Sequence, residues 1–169
     1  MKKLIYILIP VLILSCQNKQ TKDELTMYKK IKTLEEKNIE IAKKFYRFLD
    51  EQKLDSCTAL FTENSKSYLG SSDKSLQFAD IIPYIKSYYT AFPNYKHEIE
   101  NIFASGDFVA AQLRYTGTQE SAFMEIPSTG KNIDYKGIFI LKMQDGKIIE
   151  SWGIEDDLTM MKQLGIELK

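Results

Sequence analysis

The chain has 169 residues, a hydrophobic fraction of 44% and 23 basic against 23 acidic residues, so its formal net charge is zero. This length and composition indicate one domain with a real core plus additional segments. The basic residues are scattered rather than clustered, so the sequence lacks the basic patch that is typical of a nucleic-acid-binding protein. No nucleic-acid partner is therefore expected.

The first sixteen residues have the pattern of an export signal. Lys2 and Lys3 precede an apolar run over residues 4–14, which ends at Ser15 and Cys16. The run is too short to cross a bilayer as a helix but has the length of a signal-peptide core. The pattern resembles the lipobox of bacterial lipoproteins, with an ordinary secretory signal and an accidental cysteine as the alternative. We therefore predict a lipoprotein signal peptide over residues 1–15. The resemblance implies lipidation of Cys16 and a location in the bacterial cell envelope, lipid-anchored to a membrane and facing outside the cytoplasm.

Residues 16–32 are polar and rich in lysine, without a steady hydrophobic period, and are predicted to form a tether. Thr33 and Glu36 fit a capping box, so a helix is predicted to start there and to end near Gln52. Its apolar residues recur at helical spacing and are Ile39, Ala42, Phe45, Tyr46 and Leu49. The folded domain is expected to cover residues 33–169.

A second, short helix is predicted over residues 54–61, with Cys57 as a small buried hydrophobic residue rather than a nucleophile. Residues 62–75 are rich in Ser, Asn, Gly and Lys and are predicted to form a loop. Asp80 is the predicted N-cap of a third helix, with Pro83 in its first turn, where a missing N–H costs little.

After residue 95 the hydrophobic period changes from helical spacing to alternation. Four strands are predicted over residues 99–104, 108–118, 133–143 and 147–154, with a long loop over 120–132. A short helix over 158–164 with Gly165 as its C-terminal cap completes the chain. Helices followed by antiparallel strands predict an α+β domain in which helices pack on one face of a bent sheet.

The residue inventory narrows the chemistry. His97 is the only histidine, and the sequence has no H-E-x-x-H, C-x-x-C, P-loop or G-x-G-x-x-G motif. No metal site and no cofactor are therefore predicted, and His97 is interpreted as a surface or hydrogen-bonded residue. Carboxylates, tyrosines and amides remain, which suit cofactor-free acid–base chemistry or ligand binding in an aromatic pocket.

One stretch, residues 145–157, concentrates these groups. Asp145-Gly146 is a strong hairpin signal, and the strand that follows places Trp152, Ile154 and Asp156 on one face. A carboxylate beside an indole on a partly dry surface is a candidate for a raised pKa and for proton transfer. The alternative is a strand end with one core aromatic residue and a solvated acidic turn.

Residues 38–167 resemble the SnoaL-like polyketide cyclases, also called predicted ester cyclases, of the nuclear-transport-factor-2-like superfamily. The pieces that carry the resemblance are Phe45-Tyr46, Ala91-Phe92-Pro93, Ser105-Gly106-Asp107, Tyr115-Thr116-Gly117-Thr118, residues 126–130, Gly137, residues 145–153, Asp156 and Gln163-Leu164-Gly165. The resemblance implies a cone-shaped α+β fold, in which a curved antiparallel sheet and helices enclose a hydrophobic pocket for a small hydrophobic ligand. It also implies a possible homodimer.

The resemblance further implies cofactor-free chemistry, in which an aspartate abstracts an acidic proton from a polyketide and the carbanion closes a ring by aldol condensation. Asp156 matches that aspartate, with Asp157 as second choice. In this hypothesis Trp152 lines and desolvates the pocket, while Gln119 with Tyr46 or Tyr115 stabilises the developing oxyanion.

The alternative function is a non-catalytic lipoprotein that binds a small ligand. Trp152, Tyr115 and Phe139 would then be pocket walls, and Asp156 would be a polar anchor. The chain has Ser151, Gln119 and Tyr68 where family members often have histidine. These replacements favour binding, whereas the retained Asp156 favours catalysis.

Overall fold

The computed structural model describes the backbone of residues 5–166 and the side chains of residues 19–166. The chain divides into two units, residues 1–34 and 35–169. In the first, residues 5–34 are helical and the side chains of residues 19–34 are exposed. Among the described residues, no helix combines the length and apolarity that a membrane crossing requires. The predicted lipidation of Cys16, and the side chains of the predicted signal peptide, lie outside the described part.

The folded unit begins within helix α1 (Ile5–Asp50). The helix start predicted at Thr33 is wrong, because the helical backbone already includes the residues before it. From Ala42 to Leu49 the helix buries one apolar stripe, as its spacing predicts. The buried side chains of Glu35 and Asn38 hold a hairpin turn: Asn38 donates to the Gly106 carbonyl, and the Gly106 N–H donates to Glu35, each at 3.1 Å.

Two further helices follow. Helix α2 (Leu54–Thr58) is shorter than predicted, and it buries Cys57. Burial raises the pKa of the Cys57 thiol to about 12, which agrees with an inert core residue. Helix α3 (Phe78–Ala91) begins before the predicted N-cap, because Gln77 and Asp80 form a reciprocal capping box in which Asp80 is the third helical residue.

The largest departure from prediction lies between these helices. Residues 61–69, predicted as helix end and loop, form strand β1 (Phe61–Leu69). This strand pairs in parallel with the last strand and forms one edge of the sheet. Its interior positions include the buried residues Ser65 and Ser67. The hydroxyl of Ser151 donates to that of Ser67 at 2.9 Å, so Ser67 and Ser151 satisfy each other inside the protein.

The remaining strands confirm the predicted alternation. They are β2 (Lys96–Ser105), β3 (Phe108–Thr118), β4 (Asn132–Gln144) and β5 (Lys147–Glu155). In the described residues these strands form one five-stranded sheet of order β1-β5-β4-β3-β2. The β4–β5 turn has φ values of 50° at Asp145 and 75° at Gly146, as a type I′ turn requires. Helix α4 (Asp157–Leu164) ends at Gly165 in the left-handed conformation, as predicted.

The core lies between α1, α3 and the inner face of this sheet. The architecture is α+β with helices packed on one face, in agreement with the predicted fold class.

Candidate active site

A cavity of about 90 Å³ lies between the inner face of the sheet and helices α1 and α3. Its walls are mainly aromatic and aliphatic, with Phe45 and Tyr46 from α1, Tyr88 from α3, and Phe139 and Leu141 from β4. Four kinds of polar group interrupt this lining: a carboxylate, an imidazole, tyrosine hydroxyls and the hydroxyls of Ser67 and Ser151. Such a site, apolar with a few convergent polar groups, is the usual form of a small-molecule site.

The carboxylate belongs to Glu155, the last residue of β5. Along this strand Ser151, Gly153 and Glu155 alternate toward the interior. Burial first, and then the charge of Asp157, raise the pKa of Glu155 to about 7, although a hydrogen bond from Tyr135 opposes the increase. The Tyr135 hydroxyl donates to Glu155 Oε2 at 3.3 Å. Because both protonation states are populated near neutral pH, this group suits proton transfer.

The tyrosine hydroxyls form the second polar feature. Burial first, and then the charge of Glu155, raise the pKa of both Tyr46 and Tyr115, so these side chains stay protonated as donors. Within residues 19–166, the buried hydroxyls of Tyr46 and Tyr115 have no hydrogen-bond partner. An unsatisfied buried hydroxyl costs about 1–3 kcal/mol. A ligand oxygen in the cavity would remove that cost by accepting from either hydroxyl.

The imidazole of His97 lies on the β2 side of the cavity. Its Nδ1 is 2.8 Å from Asp50 Oδ1, and its backbone N–H donates to the same oxygen at 3.0 Å. A carboxylate only accepts hydrogen bonds, so in this contact Nδ1 carries the proton. The interpretation of His97 as a hydrogen-bonded residue is confirmed, and the residue also faces the cavity.

The structure brings three of the predicted site residues together. Tyr46, Tyr115 and Phe139 all line the cavity. Gln119 is fully buried elsewhere: its Oε1 accepts from the Thr129 hydroxyl at 2.6 Å, and its Nε2 donates to the Ile126 carbonyl at 3.3 Å. Gln119 thus holds the loop between β3 and β4.

Trp152 and Asp156 share one face, as the alternation predicted, but it is the outer face of the sheet. They line an open groove of about 470 Å³ together with the exposed Ile138 and Ile154. Trp152 stacks on Tyr68 of β1 with ring centroids 5.7 Å apart. The homodimer implied by the resemblance stays a prediction, since a single chain does not test it.

The raised pKa expected for Asp156 is wrong. Asp156 is the N-cap of α4, where its carboxylate accepts from the Thr159 hydroxyl at 2.7 Å and from the Thr159 N–H at 3.0 Å. These hydrogen bonds lower the pKa of Asp156. Its neighbour Asp157 has a pKa raised by burial and then by the charge of Asp156. The catalytic role predicted for Asp156 stays a prediction, and its side chain is not among those that line the cavity.

Sequence reasoning missed Glu155. The alternation that puts Trp152 and Asp156 on one face puts Ser151, Gly153 and Glu155 on the other, so the signal was present. The outer residues include Trp152 and Ile154 and are more hydrophobic than the inner ones, so the hydrophobic pattern indicated the outer face as the buried one. The inner position at Gly153 has no side chain because the Phe139 ring fills that space, and a Cβ there would overlap the ring.

Comparison with known proteins identifies the family. The sequence profile described as SnoaL-like polyketide cyclase matches residues 39–164. The chain belongs to the SnoaL-like polyketide cyclase family. This confirms the resemblance. A search of curated proteins finds no match.

Solved structures of SnoaL-like proteins share the fold. A proposed polyketide cyclase from Bacillus cereus ATCC 10987 is 31% identical, with a TM-score of 0.66 over 78% of this chain and 83% of that one. A proposed SnoaL-like polyketide cyclase from Jannaschia sp. CCS1 is 22% identical, with a TM-score of 0.72 over 80% and 96% of the two chains. IdmH from Streptomyces antibioticus, a proposed polyketide cyclase, is 23% identical, with a TM-score of 0.70 over 76% and 99%. The cone-shaped, nuclear-transport-factor-2-like fold of the SnoaL-like family is thus confirmed.

Proposed function

We propose that this SnoaL-like protein is a cofactor-free acid–base enzyme in which Glu155 removes a proton from a carbon next to a carbonyl group. The observation that carries the proposal is the carboxylate of Glu155 in an aromatic cavity, where burial brings its pKa to about 7. A base of this strength matches the working pH, which is the condition for efficient proton transfer. Family membership supports a cyclase- or isomerase-like reaction.

The hydroxyls of Tyr46 and Tyr115 supply the second requirement of such chemistry. When Glu155 takes the proton, the electron pair of the C–H bond moves into the carbonyl group and leaves negative charge on its oxygen. Donors already in place without a partner stabilise that oxyanion without first breaking hydrogen bonds. A Cβ placed at Gly137 would lie 3.1 Å from both Glu155 Cγ and Tyr115 Cε2, so base and donor border the same space.

The cavity limits the substrate. Its volume of about 90 Å³ is smaller than the engineered cavity of about 150 Å³ that binds benzene. This volume therefore favours a compact carbonyl compound over a polycyclic one. An isomerisation, or an aldol-type reaction of a small substrate, fits this volume.

Hydrogen–deuterium exchange at the α-carbon of ketone probes tests the proposal without knowledge of the natural substrate. Acetone, cyclopentanone and α-tetralone, in order of increasing size, are incubated with the full chain in D₂O and a mild detergent, and exchange is followed by ¹H NMR. We expect catalysed exchange with the two smaller ketones. Glu155→Gln should reduce the rate by about 10²–10⁴-fold, the usual contribution of a general base.

Asp156→Asn is the matched control, because asparagine also caps helices well. It should leave exchange nearly unchanged. Full exchange in Glu155→Gln would contradict the proposal, and loss confined to Asp156→Asn would assign the base to Asp156.

Non-catalytic ligand binding is the second candidate. Ser151 and Gln119 favour this candidate, because they stand where family members often have histidine. Both make hydrogen bonds inside the protein, Ser151 with Ser67 and Gln119 with Thr129, instead of offering a titratable group to a substrate. Native mass spectrometry of protein purified from its own host tests this candidate. A retained small molecule, together with no exchange of any ketone probe, would support it over the enzyme.

We also propose that Cys16 is lipidated and that the domain lies in the bacterial cell envelope, outside the cytoplasm. Lys2, Lys3 and the apolar residues up to Leu14 before Ser15-Cys16 support this proposal. Cells fed radiolabelled palmitate should label the protein, and Cys16→Ser should remove the label. Equal labelling of both forms would contradict it.

A further inference from the structure

Glu155 is not the only titratable group that faces the cavity. His97 lines the same cavity from the other end of the inner sheet face. His97 and Tyr115 are direct partners across β2 and β3, and Tyr115 and Tyr135 are direct partners across β3 and β4. Glu155 pairs with Gly137, two residues beyond Tyr135 on β4. The carboxylate and the imidazole therefore stand at the two ends of one cross-strand path, with tyrosine rings between them.

Asp50 fixes the orientation of the imidazole. It binds both the Nδ1 and the backbone N–H of His97 through one oxygen, which locks the ring relative to its own strand. The second nitrogen, Nε2, is not used by this contact. The rings of Tyr95 and Tyr115 lie 5.1 and 5.3 Å from the imidazole centroid and hold it from the sides.

The strand spacing places the two groups at opposite ends of the cavity lining. Adjacent strands lie about 4.8 Å apart, so the backbones of β2 and β5 are separated by roughly 14 Å. Both side chains line the cavity, and in the described part of the chain their hydrogen bonds go to Asp50 and to Tyr135 rather than to each other. This arrangement suits a small molecule that contacts both groups. Two separated proton-handling groups are what a reaction needs when one proton leaves carbon and another is delivered to oxygen.

We propose that His97 is a catalytic acid that protonates a substrate oxygen while Glu155 deprotonates carbon, and that Asp50 positions it. This inference rests on the proposed function of Glu155 and adds the substrate class: a small β-hydroxy ketone or the equivalent aldol product. In the dehydration direction the C–H bond breaks and its electron pair forms the C=C bond. The C–O bond breaks, and the departing oxygen takes the Nε2 proton of the doubly protonated imidazole and leaves as water, while the Nδ1 proton stays on the hydrogen bond to Asp50. Glu155 ends protonated and His97 neutral, and both recover by proton exchange with solvent.

The probe is 4-hydroxybutan-2-one, which reports two events in one sample. Exchange of its α-protons in D₂O requires only the base, whereas elimination of water to but-3-en-2-one requires base and acid. Both are followed by NMR with the full chain in a mild detergent. We expect His97→Gln to lose about 10²-fold or more of the elimination rate, with exchange reduced by no more than about threefold.

Exchange acts as the internal folding control, because a collapsed cavity loses both reactions. Glu155→Gln should lose both, and Asp50→Asn should lose elimination about tenfold while exchange persists. Since His97 is the only histidine, its ¹⁵N signals are unambiguous. In Asp50→Asn, the ¹⁵N signals of the His97 ring should show that the proton no longer prefers Nδ1.

The outcomes separate the two proposals. Exchange that depends on Glu155 without any elimination, or with elimination that survives in His97→Gln, overturns the role of His97 and leaves that of Glu155. Equal loss of both reactions in His97→Gln, His97→Asn and Asp50→Asn also overturns it, because the dyad would then be structural. No exchange in the unmodified protein overturns both proposals.

Discussion

The burial of Glu155 makes a prediction about stability that needs no substrate. The carboxyl has a pKa of about 7 in the folded protein and an ordinary value of 4.5. Below pH 4.5 the group is protonated in both the folded and the unfolded chain, so its ionisation has no effect on stability. Between pH 4.5 and 7 the unfolded chain releases the proton while the folded chain keeps it. The free energy of unfolding therefore falls as pH rises through this window, and the loss is complete above about pH 7.

The magnitude follows from the two pKa values. Each tenfold difference in proton affinity corresponds to about 1.4 kcal/mol, so the full loss is roughly 3 kcal/mol. Glu155→Gln removes the ionisable group and with it the loss. The free energy of unfolding of Glu155→Gln, minus that of the unmodified protein, should therefore increase by roughly 3 kcal/mol between pH 4 and pH 8.

Urea unfolding at a series of pH values measures this difference. Glu150→Gln is the matched control on the same strand, because Glu150 pairs with Lys142 at 3.1 Å near the surface. Its difference from the unmodified protein should change by less than about 1 kcal/mol. If the curves of Glu155→Gln and the unmodified protein run parallel within about 1 kcal/mol, Glu155 ionises as in water and the proposed base loses its physical support.

Three further predictions follow from single contacts. Gly153→Ala should lower the free energy of unfolding by about 1–3 kcal/mol, because a Cβ there overlaps the Phe139 ring, and urea unfolding should show partial recovery when Phe139→Leu is added. Tyr115→Phe should keep or raise stability by up to about 1 kcal/mol because its hydroxyl has no partner among residues 19–166, while ketone exchange falls about tenfold. Asp156→Ala should cost about 1 kcal/mol of unfolding free energy through loss of the helix cap, with exchange per folded molecule unchanged; a large loss of exchange would return the catalytic role to Asp156.

Much of the fold could be predicted because its signals are local. The positions of Ala42 to Leu49 in α1, the alternation of β3 and β4, and the Asp145-Gly146 turn each depend on neighbouring residues alone. Strand β1 could not be found this way. Its sequence is polar, and it becomes a strand because β5 supplies its hydrogen bonds and Ser151 satisfies Ser67. Such pairing partners lie far away in the sequence.

The site was predicted in part for a related reason. Tyr46, Tyr115 and Phe139 are large apolar residues on inward faces, so pattern and resemblance both select them. On β5 the more hydrophobic residues lie on the outer face, because the inner face must leave space for the ring of Phe139. The hydrophobic pattern therefore indicates the wrong face as the one that lines the cavity. The pKa of Glu155 depends on burial by several elements at once, and a sequence pattern carries no measure of that.

The pairing of β1 with β5 also bears on how the molecule folds. Residues 61–69 find their partner only when residues 147–155 are present, and the Ser67–Ser151 hydrogen bond spans 84 positions. Contacts of such high sequence separation raise the relative contact order and slow folding. Until the last strand arrives, β1 and β4 both expose unpaired edges, which are sites of intermolecular pairing. The chain therefore has to be almost complete before its cavity exists, and a truncation before residue 147 should yield an aggregating polypeptide rather than a smaller folded domain.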